Sequence, residues 1–93
     1  MVIRVRSFEL HLAGAHSLKE KRSVIKSLKD RLHGQFNVSA AETAYHDVHQ
    51  RAEIAVCVVA GDRAHANSVL TAADRLVEQE SRARIVDSYT TYY

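Results

Sequence analysis

The sequence predicts an α+β fold, a four-stranded antiparallel sheet with two helices on one face, in the order β-α-β-β-α-β. Two observations predict it. Apolar residues recur at helical spacing in two separated segments. Four other segments alternate with a period of two or run through β-branched residues. The chain has 93 residues, which suits one domain spanning 1–93.

The first strand is expected over residues 2–12. Val2, Phe8, Leu10 and Leu12 share even parity, and Glu9 and His11 take the other face. Ile3 and Val5 make the odd face apolar near its start. Gly14-Ala15-His16 turns the chain. Ser17-Leu18-Lys19-Glu20 is a capping box, with the Ser17 hydroxyl set to accept from the Glu20 amide and the Glu20 carboxylate to reach the Ser17 amide. A helix over about 18–33 follows, with Leu18, Ile25, Leu28 and Leu32 as its apolar stripe and Val24 at the margin. Gly34 is expected to end it in the left-handed conformation.

Phe36, Val38 and Ala40 alternate with Asn37, Ser39 and Ala41, which predicts a second strand ending near Thr43. Tyr45-His46-Asp47-Val48-His49-Gln50 is polar and is expected to be a loop or a single turn. The β-branched run within 51–60 predicts a central strand, with Gly61-Asp62 ending it. Asp62 can cap the second helix. Ala66, Val69, Leu70, Ala73, Leu76 and Val77 fall within an arc of about 120° on it. Residues 84–91 alternate as a last strand.

With right-handed crossovers this order gives the ferredoxin-like split βαβ arrangement, with the first and third strands central. Helices then cover only one face. Ile3, Val5, Ala55, Cys57 and Val59 would line part of the open face. An apolar open face commonly finds a partner, and closed homo-oligomers are the commonest solution, so a homodimer is expected.

Composition bounds the function. Hydrophobic residues are 46% and charged residues 26%, as in ordinary globular proteins. No apolar run approaches the roughly 18 residues of a membrane span, so no membrane partner is expected. Charges interrupt Met1-Val2-Ile3-Arg4-Val5-Arg6, unlike a signal peptide. The single Cys57 excludes an internal disulfide and suits a reducing, cytoplasmic compartment.

The net charge of +2 is unevenly placed. Residues 17–34 hold six basic and two acidic side chains, and residues 62–80 hold two basic and four acidic ones. Lys19, Arg22, Lys26, Lys29 and His33 fall within about 80° on the first helix, with Lys21 nearby in sequence. These six residues are the candidate contacts to a nucleic-acid backbone. Aromatic residues for base stacking are missing from the third strand, where Cys57 and Val59 stand, so a standard RNA-recognition motif is not expected.

Catalytic and metal signals are sparse. Glu9 and His11 lie two apart on one strand face, and a His–carboxylate pair can do acid–base chemistry. No nucleophile or oxyanion donor pair accompanies them. His46-Asp47-Val48-His49 offers two imidazoles and a carboxylate, without a Cys-x-x-Cys or His-Glu-x-x-His pattern. A small enzyme or metal protein built on His11/Glu9 or His46/His49 stays an alternative, and no cofactor is expected. Cys57 reads as a core or interface residue. Gly14-Ala15-His16-Ser17 before the helix could hold an anion.

Glu9-Leu10-His11-Leu12 and Gly14-Ala15-His16-Ser17-Leu18-Lys19-Glu20-Lys21-Arg22 resemble the signature of the bacterial YlxP-like proteins, a domain-of-unknown-function family. Phe36-Asn37-Val38-Ser39-Ala40-Ala41-Glu42, Gln50-Arg51-Ala52 and Gly61-Asp62-Arg63 resemble family positions too. The resemblance implies a small bacterial cytoplasmic protein of ferredoxin-like fold. It also implies genes often placed beside those for translation initiation factor two and ribosome-binding factor A. Ribosomal RNA or a ribosomal subunit is thus the expected partner, and no catalytic residue is carried over. The leading expectation is a non-enzymatic accessory protein of translation or ribosome maturation. A dimeric protein-interaction module using the open sheet face is its main rival.

Overall fold

The computed structural model describes residues Met1–Tyr93. Its elements are β1 (Val2–His11), α1 (Leu18–Gln35), β2 (Ser39–Ala44), β3 (Arg51–Ala60), α2 (Arg63–Glu78) and β4 (Arg84–Tyr92). The four strands form one sheet in the order β2-β3-β1-β4, with every neighbouring pair antiparallel. The two strands expected at the centre are there.

Register explains the parity of the sequence. Phe8 lies opposite Ile54, and Leu10 opposite Ala52, on the face that the helices cover. These side chains join Val24, Ile25, Leu28 and Leu32 of α1 and Ala73, Leu76 and Val77 of α2 in the main core. Val58, Ala60, Ala66 and Leu70 make a smaller cluster at the other end of α2. Burying a side chain of Leu, Ile or Phe size contributes about 1.5–3 kcal/mol, so these residues dominate the stability.

Both helix starts follow the sequence, with one change of partner. The Glu20 amide donates to Ser17 Oγ at 3.1 Å, as expected of the capping box. The Glu20 carboxylate, however, takes the His16 amide at 2.6 Å rather than that of Ser17. At α2 the His65 amide donates to Asp62 Oδ1 at 2.8 Å.

The first helix runs two residues further than expected. Gly34 lies inside it, and no glycine has positive φ, so the left-handed stop does not form. The extended Phe36 ends the helix instead, its amide donating to the Leu32 carbonyl at 3.0 Å. The reason is packing. Phe36 and Val38 lie against the main core as an arm outside the sheet, and β2 begins only at Ser39. Leu12 likewise leaves the first strand yet stays fully buried.

Two charged nodes tie the layers together. Glu80 Oε1 accepts from Arg31 Nη2 of α1 and Arg82 Nη2 of the final turn, each at 2.7 Å, and Oε2 takes Arg82 Nε at 3.0 Å. The Arg82 bonds hold the Glu80 carboxyl down at about 2, well below its ordinary range. Arg6 on β1 meets Asp74 on α2, its Nε 3.2 Å from Oδ1. Burial nevertheless raises the Asp74 pKa, with Arg6 pulling it back.

Candidate nucleic-acid interface

The flank of α1 separates into residues that face solvent and residues that are used by the fold. Lys19, Arg22 and Lys26 are exposed and Lys29 is half-buried. Spacings of three and four put all four on one ridge about 15 Å long. Asp30 lies only about 20° beyond the edge of that ridge and pairs with Lys26 at 2.6 Å. Both partners are mostly exposed, so the pair is weak and yields readily to another anion.

Two of the expected contacts do other work. Lys21 is fully buried and cannot meet an RNA backbone. Its ammonium donates to the Tyr45 carbonyl at 2.7 Å and the Arg51 carbonyl at 3.3 Å, and lies 2.9 Å from Glu42 Oε2. The ammonium is therefore engaged by hydrogen bonds to the two ends of the β2–β3 connection and by an ion pair with β2 itself. His33 is exposed, but its Nε2 accepts from the Ala40 amide at 3.1 Å and so stitches α1 to β2.

The open face is divided by chemistry along the strands. At one end Ile3 lies opposite Val59 and Val5 opposite Cys57. Ile3, Val5, Ala55 and Cys57 are half-buried, while Val59 is 59% exposed. At the other end Glu53, Glu9 and Asp87 form one row across β3, β1 and β4, and Arg51, His11 and Arg84 form the next.

Directly opposed like charges repel, and the acidic row is held by neighbours that sequence reasoning did not bring together. Glu9 Oε1 accepts from Arg51 Nη2 at 2.5 Å and from the Tyr45 hydroxyl at 2.9 Å. These bonds, that of Arg51 foremost, hold the Glu9 carboxyl below its ordinary range. Arg51 also lies 4.2 Å from the centre of the Tyr45 ring. Glu53 Oε1 accepts from Thr43 Oγ1 at 2.6 Å, and Oε2 accepts from the Tyr89 hydroxyl at 3.4 Å. Tyr89 starts opposite Ser7 on β4 and ends on β3, so its ring crosses β1; Ser7 beneath is 5% exposed. Register, which follows from the parity of Glu9 and Glu53, is the signal that could have found this cluster.

Glu9 is thus engaged by Arg51 and Tyr45, and no hydrogen bond joins it to His11. His46, just past β2, turns back on that strand, its ring N–H donating to the Glu42 carbonyl at 3.1 Å. No three His, Cys, Asp or Glu side chains converge on a point where one metal ion could sit. No helix is long and apolar enough to cross a membrane.

Taken together, the fold is a ferredoxin-like α+β sandwich with one bare sheet face and a cationic helix ridge. A de novo designed protein with ferredoxin fold, solved by solution NMR, superposes over the whole chain and 84% of its own, with a TM-score of 0.57 and 18% identity. Residues 3–90 match the family described as "Protein of unknown function (DUF503)", and the chain belongs to that family. It is similar to the "Uncharacterized protein YlxP" of Bacillus subtilis (strain 168), 43% identical over 49 residues. That alignment spans about half of each protein, 53% of this chain and 53% of the relative. The resemblance read from Gly14–Arg22 and its neighbours is thereby confirmed.

Proposed function

We propose that the protein is a non-enzymatic cytoplasmic accessory of translation or ribosome maturation that holds structured RNA through α1. One observation carries this reading. Lys19, Arg22, Lys26 and Lys29 present a ridge of one sign, opposed only by the weakly held Asp30. A solvated helix face usually mixes signs along its length. The translation-linked gene company implied by the family resemblance points the same way.

Contacts of this kind are to phosphates, so binding would be strongly salt-dependent and weakly sequence-dependent. Four neutralised phosphates correspond to a slope of about −3 in log affinity against log salt. Replacing Lys19, Arg22, Lys26 and Lys29 together with Gln is expected to weaken binding to a ribosomal RNA fragment and flatten that slope, read by fluorescence anisotropy. Undetectable binding of the unaltered protein at about 50 mM salt, where phosphate contacts are strong, overturns the proposal.

A second reading is favoured by the bare apolar rows around Val59. In it the open face joins two copies into a homodimer through Ile3, Val5, Ala55, Cys57 and Val59.

A further inference from the structure

A cavity of about 350 Å³ lies where β1 begins, β4 ends and α2 starts. Small-molecule sites run from roughly 300 to 1,000 Å³, so this one suits a small ligand. Val2, Arg4, Arg63 and Tyr92 line it.

All four belong to the side of the sheet that the helices cover. Val2 packs against the small core cluster of Val58, Ala60, Ala66 and Leu70. Arg4 shares the parity of Val2, and its Nη1 donates to Asn67 Oδ1 on α2. Tyr92 lies opposite Arg4 on β4, and its ring centre is 4.9 Å from the Arg4 guanidinium. Arg63 stands one turn before Asn67, on the same flank of α2. Ile3 and Tyr93 also line the cavity, but by parity their side chains lie on the other face.

The charge of this corner is unbalanced. Three arginines occupy it, and Arg6 is committed to Asp74 and Thr90. Arg4 and Arg63 lie within ion-pair distance of no carboxylate. Arg4 gives its one side-chain hydrogen bond to a neutral amide, and the Arg63 side chain gives none. No acidic side chain lines the cavity, and the neighbouring Asp62 is turned onto the His65 amide. A guanidinium carries five donors, so most of those on this pair are left for a ligand.

One oxyanion can meet both guanidinium groups. Asn67, which Arg4 touches, is about 6 Å along the helix from Arg63. Two charge-assisted hydrogen bonds of about 2.8 Å, with the oxyanion between them, span that gap. Two cations that no acid opposes fit a dianion better than a monoanion, and the guanidinium fork matches phosphate oxygens. The half-buried Val2 and the exposed Tyr92 ring provide apolar surface beside them.

We propose that this cavity binds a small phosphate monoester, its phosphate between Arg4 and Arg63 and its apolar part on Val2 and the Tyr92 ring. The site lies between α2 and the end of β4 and needs no contact with the α1 ridge.

Phenyl phosphate is the probe, titrated into the isotope-labelled protein at about pH 7.5, where such a monoester is mostly dianionic. Amide chemical shifts are expected to move at residues 2–4, 63–67 and 91–93. Arg63→Gln, at an exposed position that leaves the fold intact, should weaken binding about tenfold, the scale of one lost charged contact. Arg4→Gln should do the same. Arg75→Gln removes an equal charge from an exposed position three turns further along α2 and should change nothing. Benzenesulfonate, a monoanion of similar shape, should bind more weakly than phenyl phosphate. Shifts centred on residues 19–29, unchanged affinity in Arg63→Gln, equal binding of the sulfonate, or no binding at about 10 mM probe each overturn the proposal.

Discussion

Lys21 shows at the scale of one residue how far position outweighs composition. It sits in a run of charged residues, Lys19 to Arg22, yet is fully buried. The helical wheel holds the reason. Lys21 precedes Val24 by three, Ile25 by four and Leu28 by seven, so it points along the middle of the apolar stripe. A buried ammonium is tolerable only when fully partnered. Here Glu42 and two carbonyls supply that, and Glu42 Oε2 has no hydrogen bond besides this ion pair. Lys21→Met leaves the Glu42 charge and both carbonyls without partners. The expected loss is about 3–5 kcal/mol, the range for breaking one side of a buried pair. In a domain of this size that lowers the melting temperature by at least about 12 °C. Lys21→Met/Glu42→Leu should recover part of the loss, because the orphaned charge is gone. A Lys21→Met melt within a few degrees of the original, followed by circular dichroism, would show that Lys21 is not a structural residue.

Tyr45 is the complementary case, in which sequence carried no signal. Its φ of 62° is rare for a bulky residue and costs on the order of 1–2 kcal/mol. The surroundings compensate. Its carbonyl receives Lys21, its hydroxyl holds Glu9, and Arg51 lies on its ring. None of these partners is local in the chain except through the fold, so the polar stretch Tyr45–Gln50 could be read only as a loop. The strands and helices were legible because parity and helical spacing are properties of neighbouring residues. The Glu9–Tyr45–Arg51–Glu53 cluster was hidden because it depends on register between strands.

At the scale of the element, α1 presents two chemically distinct arcs and an end that differs from the sequence expectation. Its apolar arc, Lys21 included, faces the sheet, and its ridge of Lys19, Arg22, Lys26 and Lys29 faces away. Its last turn is where the structure departs from what Gly34 suggested. A glycine that stops a helix in the left-handed conformation resists replacement, since a side chain there is strained. Gly34 is helical instead, and an added Cβ would meet nothing within 4 Å. Gly34→Ala is therefore expected to stabilise the protein by about 0.4–1 kcal/mol, chiefly by restricting the unfolded chain. Urea unfolding with an unchanged m-value measures it. Destabilisation by about 1 kcal/mol, as expected for Ala at positive φ, would mean that the helix stops at His33.

At the scale of the whole molecule, the bare sheet face sets how strongly two copies can associate. Four strands about 4.8 Å apart and up to ten residues long present roughly 600 Å². The rows of Glu53–Glu9–Asp87 and Arg51–His11–Arg84 occupy one end of it. The apolar rows around Val5 and Ile3 leave about half, below the roughly 800 Å² per partner of a standard stable interface. Self-association through this patch alone therefore belongs to the weak, transient class. Its contacts are apolar, so it should persist or tighten in high salt, in contrast to the RNA binding proposed for the α1 ridge. Sedimentation equilibrium is expected to give a monomer–dimer equilibrium with a dissociation constant of tens of micromolar, on the order of −6 kcal/mol. Val59→Lys places an ammonium within the apolar rows of any such contact and should abolish the dimer. That position is already 59% exposed, so the substitution leaves the fold intact. A monomer throughout the range to about 1 mM removes the dimer. A dimer unmoved by Val59→Lys places the contact elsewhere and frees the open face for a different partner.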